Sequence, residues 1–125
     1  MMKLIKKILI GVLLNGIALY VVVNFLDNIS YTGGWKFFLI GGLIMGILNT
    51  FIKPLIKLFS LPLIFISLGL ILFLINGVLI FLLEKILIQL AFEGVSFHVD
   101  GFLVYIIAGL VFGFINFIEH LFIKN

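Results

Sequence analysis

Four long apolar stretches, each bounded by charged or turn-forming residues, leave this chain of 125 residues few ways to fold. A helix crosses a bilayer with about 20 mainly apolar residues, in a range of roughly 17–25. The first stretch runs from Ile8 to Leu26, between Lys7 and Asp27. The second runs from Trp35 to Ile52 and stops at Lys53-Pro54. The third runs from about Leu61 to Leu83 and stops at Glu84-Lys85, and the last from Phe102 to Ile118, stopping at Glu119. Lipid offers no partner to a bare backbone group, so each stretch is expected to be a helix. A membrane barrel would need alternating segments of about ten residues, and none is visible.

Composition agrees. Hydrophobic residues make up 65% of the chain and charged ones 10%, whereas a soluble domain carries about 25% charged residues. There is room for a single membrane domain, spanning 1–125, and none for a separate soluble one. Cysteine is absent, which excludes disulfides and thiolate metal sites. Lys3, Lys6 and Lys7 imitate the start of a signal peptide, but the apolar run behind them is too long and no A-x-A site follows. The first stretch is therefore read as a retained span.

The chain has eight basic residues, all lysine, and their distribution predicts direction. With the N-terminus inside, Lys3, Lys6, Lys7, Lys53, Lys57 and Lys124 lie in the cytoplasm, and Lys36 and Lys85 outside. Inner loops carry the excess of lysine in membrane proteins, so both termini are expected to be cytoplasmic. Asp27, Glu84, Glu93 and Asp100 then fall outside. Residues 86–93 either continue the third helix or lie along the outer interface.

The spans repeat one another. At an offset of 67, Gly34, Ile40, Gly42, Leu43, Gly46 and Asn49 recur as Gly101, Ile107, Gly109, Leu110, Gly113 and Asn116. Lys57 falls on Lys124 by the same offset. At an offset of 61, Asn15-Gly16 of the first span falls on Asn76-Gly77 of the third. The expected architecture is all-α, with four transmembrane helices arranged as two parallel two-helix repeats, about 4–58 and 61–125. Two spans per unit return the chain to the same side, so the repeats share one orientation.

Gly42 and Gly46 form a G-x-x-x-G pattern that Gly109 and Gly113 repeat. Glycines four apart let another helix approach closely where lipid supplies no hydrophobic drive. The partner is either a helix of the same chain or a second subunit. Asn15, Asn49, Asn76 and Asn116 sit inside spans, and a carboxamide facing lipid would cost a few kcal/mol. They are expected to point inward, as interhelical contacts or as the lining of a narrow path. No acidic or basic group lies in the middle of any expected span. Proton-coupled transporters need such a group, which disfavours that class.

Between the second and third spans, Lys53, Pro54 and Lys57 belong to a segment that ends at Pro62. Lys53 and Lys57 are four residues apart and share one helical face. The segment reads either as a short amphipathic helix on the inner leaflet or as a positively charged loop, with the tail through Lys124 as its counterpart. His98 and His120 fall on opposite sides of the membrane, so they form no metal pair. No serine has a histidine and carboxylate placed beside it, no phosphate loop is present, and the basic residues are too scattered for nucleic acid. An enzyme, a cofactor and a metal are not expected.

The run Gly46-Ile-Leu-Asn49-Thr-Phe-Ile-Lys53-Pro54, with Leu61-Pro62, Leu68-Gly69-Leu70, Ile75-Asn76 and then Phe97, Val99, Gly101 and Phe102, resembles phage holin family 4, superfamily IV, the mycobacterial four-span phage holins. Ser67 stands where that family usually has threonine, and Gly77 where alanine is common. The resemblance implies a multi-pass protein of the bacterial cytoplasmic membrane and oligomers that open it, with a role in envelope stress as another possibility among family members. Beside that holin-like reading stand two others: a small channel or transporter lined by the asparagines, and a membrane anchor or regulator of a partner protein. The expected partners are the lipid bilayer and further copies of the chain.

Overall fold

A computed structural model describes residues 2–90 and 94–123. Helix α1 spans Met2–Phe25, and α2 spans Trp35–Ile47. A single π-helical turn, Leu48–Ile52, joins α2 to α3, Lys53–Phe59. A short α4, Leu61–Ile66, precedes α5, Ile71–Leu90, and α6 covers Phe102–Ile123. Four continuous helical paths are long and apolar enough to cross a membrane: Met2–Phe25, Trp35–Phe59, Ile71–Leu90 and Phe102–Phe122. At 1.5 Å per residue each reaches about 30 Å, the thickness of the hydrocarbon core.

Only one stripe of each helix is covered by protein. On α1 the buried residues Asn15, Ala18, Leu19 and Val22 follow the three-four spacing of one helical face. On α5 the same face carries Asn76, Leu79, Ile80, Leu83 and Leu87. The opposite faces, with Ile17, Leu43, Phe73 and Phe114, stay exposed and apolar, as a lipid-facing surface requires.

Each long helix packs closely on its neighbour in sequence, α1 on α2 and α5 on α6. Contacts of α1 with α6 and of α2 with α5 close the bundle. The tightest approaches fall on glycine. A Cβ placed on Gly42 would lie 2.5 Å from the Val12 carbonyl oxygen and 2.9 Å from the Gly16 nitrogen. One placed on Gly109 would collide with the Gly77 backbone nitrogen. The second position of each G-x-x-x-G faces an asparagine: Gly46 meets Asn15 and Gly113 meets Asn76. The partner of each glycine face is thus the preceding helix of the same hairpin.

Two features depart from the sequence reading. The apolar run expected to form one span over 61–83 is divided, because α4 ends in a turn at Ser67–Leu70. There Leu68 takes a left-handed φ of 56° with 92% of its surface exposed. Gly69 N–H donates to Ile64 C=O at 2.8 Å and Leu68 N–H to Phe65 C=O at 3.2 Å. That pair of bonds is a Schellman cap, a regular helix stop. The Ser67 hydroxyl then accepts from Ile71 N–H at 3.1 Å and begins α5. The crossing helix therefore starts at Ile71 and runs beyond Glu84 to Leu90, so residues 86–90 continue the third helix, and 91–93 lie outside the described residues. The second path likewise continues past Ile52 to Phe59. Pro54 lacks an N–H and its ring crowds the carbonyl four residues back. The π turn before it, closed by Lys53 N–H on Leu48 C=O, opens the helix at that place.

The second departure is a β ribbon. Strand β1, Ile29–Thr32, pairs antiparallel with β2, Ser96–Val99, and so ties the α1–α2 connection to the α5–α6 connection. Ile29, Tyr31, Phe97 and Val99 face inward, and Thr32 and Ser96 join hydroxyls at 2.7 Å on the outer face. Two strands alone are marginally stable in water. Here Phe37 stacks beneath both, with ring centroids 4.9 Å from Tyr31 and 5.4 Å from Phe97.

Gly42→Ala and Gly109→Ala should each destabilise the bundle by about 1–3 kcal/mol, the usual cost of overpacking. Gly11→Ala, on the same class of helix but with nothing within 4 Å of the added methyl, should be neutral or stabilising by up to about 1 kcal/mol through helix propensity. Thermal melts in detergent followed by circular dichroism read both. Equal effects at all three positions would contradict the close-approach argument.

Candidate functional site

Polar groups gather at two levels of the bundle. Nearer the chain termini, Asn15 is only 8% exposed on α1 and donates to the Gly11 carbonyl at 3.0 Å. Its oxygen accepts from Asn49 Nδ2 at 3.3 Å. Asn49 lies in the π turn, and the same nitrogen reaches Asn116 Oδ1 of α6 at 3.5 Å. Asn116 in turn donates to Glu119 Oε1 at 3.0 Å. A continuous polar chain therefore links α1, the π turn and α6. Its two inter-asparagine contacts are long for hydrogen bonds and correspondingly weak.

Three of the four asparagines meet in this chain, and Asn76 stands apart, packed on Gly113. Acceptors outnumber donors. Asn49 Oδ1, Asn76 Oδ1 and Glu119 Oε2 are buried with no hydrogen-bond partner among the described residues. Glu119, expected to end the last span, is instead a member of the polar chain, because α6 continues beyond it to Ile123. Its spacing of three from Asn116 puts both on one helical face, which is the signal that could have marked it. His120 lies alongside, with Nδ1 2.7 Å from the Asn116 carbonyl.

The second level sits under the ribbon. Glu84 was expected at the membrane boundary, yet it is 2% exposed. Val99 N–H donates to its Oε2 at 3.0 Å, and the Tyr105 hydroxyl donates to its Oε1. His98 Nδ1 lies 3.2 Å from Oε2 while its side chain remains 68% exposed. The ribbon causes this arrangement: pairing with β1 holds β2 over α5 and aims one of its backbone donors at the carboxylate. The corresponding places in the first hairpin, at the two offsets of the sequence repeat, are Val23, Tyr31 and Phe38. These pack as an apolar and aromatic cluster, with Tyr31 and Phe38 centroids 5.2 Å apart. A glutamate where the matching span has valine is the trace that Glu84 leaves in the sequence.

Of the interface residues, Lys53 is half-buried and Pro54 and Lys57 are exposed at the terminal end of the bundle. Lys124 lies outside the described residues. Gly42, Gly46, Gly109 and Gly113 are engaged within the hairpins, as above. Among the described residues, no group of three or more histidine, cysteine, aspartate or glutamate side chains could hold a metal.

Glu84→Leu should leave the buried Val99 amide unsatisfied, at about 1–3 kcal/mol, and the part-buried Tyr105 hydroxyl without its partner at a smaller cost. Faster hydrogen–deuterium exchange over residues 96–99, with Gly16–Gly42 packing intact, is the expected result. Tyr105→Phe removes one donor only and should have a smaller effect. Unchanged exchange in both would mean that the carboxylate does not hold the ribbon.

Comparison with curated proteins and with solved structures returns no match. A family described as mycobacterial 4 TMS phage holin, superfamily IV, matches residues 6–118. That range takes in the greater part of all four crossing helices, the ribbon, the π turn and both polar levels apart from Glu119 and His120, and the chain belongs to this holin-like family of multi-pass membrane proteins.

Proposed function

We propose that the chain is a holin-like protein of the bacterial cytoplasmic membrane, with both termini in the cytoplasm, that self-associates and permeabilises the membrane or responds to envelope stress. The observation that carries this reading is the family match over residues 6–118 on a bundle of four lipid-exposed apolar helices. Self-association has to use the outer faces, because the glycine faces are consumed inside each hairpin. Exposed bulky residues such as Leu13, Ile17, Leu43 and Leu103 offer a surface that copies of the chain can share.

The parallel-repeat reading is supported by two coincidences. Gly16 against Gly42 and Gly77 against Gly109 are the same contact at the two offsets. In the ribbon, Ile29 pairs with Val99 and Thr32 with Ser96, whereas the offset of 67 matches Ile29 to Ser96 and Thr32 to Val99. Pairs exchange partners in this way around a twofold axis. The lysine bias supports the inward termini.

A small channel is the second reading, favoured by three buried acceptors without donors among the described residues. Such groups suit water or a cation along a polar path.

Expression in cells co-producing a cytoplasmic endolysin separates the two. A holin should form large oligomers on cross-linking and release the endolysin; small-ion flux from proteoliposomes without endolysin release, lost in Asn49→Leu, would assign the chain to the channel reading. Neither effect would remove both. Topology has its own test, because the chain has no native cysteine. A cysteine at Ser30 should react with an impermeant maleimide on intact spheroplasts and one at Ser60 only after lysis; the reverse pattern would invert the orientation.

A further inference from the structure

A groove of about 730 Å³ runs along α6 and ends on Lys53 and Lys57. Its wall is nearly all hydrocarbon, with Leu110, Phe114 and Phe117 from α6 and Phe73 from α5. Asn76 is the polar interruption, 8% exposed, its side-chain oxygen without a partner among the described residues. From these residues we propose that the groove binds one anionic phospholipid, its phosphate between Lys53 and Lys57 and one acyl chain along α6. This requires only that the four helices lie in a bilayer. It holds for either leaflet and for either activity considered above.

Charge identifies the head. Lys53 and Lys57 share a helical face, and like charges at that spacing destabilise a helix unless an anion lies near. Among the described residues neither has a carboxylate within salt-bridge distance. At the end of a membrane-crossing path the abundant anion is a lipid phosphate, and basic pockets between helices at that level suit such headgroups.

Shape identifies the tail. Leu110 to Phe117 is about 10 Å of helix at 1.5 Å per residue, and an acyl chain has about 15 Å of leaflet to cross. The volume falls in the range of sites that enclose a small ligand, about 300–1,000 Å³.

Native mass spectrometry of the full chain in detergent, titrated with phosphatidylglycerol or phosphatidylcholine of the same acyl length, tests the site. One phosphatidylglycerol should bind per chain, about tenfold or more tighter than phosphatidylcholine. Lys53→Gln with Lys57→Gln should abolish that preference while circular dichroism stays unchanged. Leu110→Trp, which fills the groove from a lipid-exposed position, should weaken both lipids several-fold. Equal binding of the two lipids, a preference that survives the double lysine variant, or a ladder of equivalent adducts would each overturn the proposal.

Discussion

The backbone contact of glycine with glycine inside each hairpin is the constraint on which the rest of this bundle depends. Lipid tails are as apolar as leucine, so burying leucine between helices gains little, and close packing has to supply the association. Gly42 on Gly16 and Gly109 on Gly77 bring helix backbones into contact with no side chain between them. Once that crossing is set, Asn15 falls against Gly46 and Asn76 against Gly113. Both carboxamides are then in the protein interior, where they are cheaper to hold than in hydrocarbon.

The hairpins share a frame and differ in what they place on it. At the ribbon end the first hairpin presents Tyr31, Phe37 and Phe38 as an aromatic cluster, and the second presents Glu84 with Tyr105 and His98. At the terminal end Asn15 is bonded to Asn49, whereas the Asn76 oxygen, beside a groove, has no partner among the described residues. The buried carboxylate therefore belongs to the second hairpin, and the first supplies the aromatic packing, the π turn and the Asn15–Asn49 contact. The ribbon makes the division workable, since it joins the two connections and carries the donor that Glu84 accepts.

Much of this was legible in the sequence because it follows from solvent. Apolar runs of span length, divided by lysine, proline and acidic residues, have one outcome in lipid, and the four crossing helices follow. The recurrence of Gly42, Gly46 and Asn49 as Gly109, Gly113 and Asn116 likewise pointed to the inward faces. Boundaries were less legible. Within residues 61–83 Gly69 is the one mark of the break, and an isolated glycine does not end a helix by itself; the stop also needs Leu68 to take a conformation that leucine avoids. Four-residue strands are too short for alternation to stand out against a background of apolar residues.

What the sequence determined by itself was the class of protein, the number of crossings and the faces that turn inward, since hydrophobicity and glycine spacing act along a single chain. Tertiary structure alone decided which polar groups meet. Glu84, Val99 and Tyr105 lie on three separate elements, and so do Asn15, Asn49 and Asn116. A charge at a helix end reads as a membrane boundary until a neighbouring strand is known to fold over it. Burial of Glu84 is a property of what packs around it, and no local pattern carries that information.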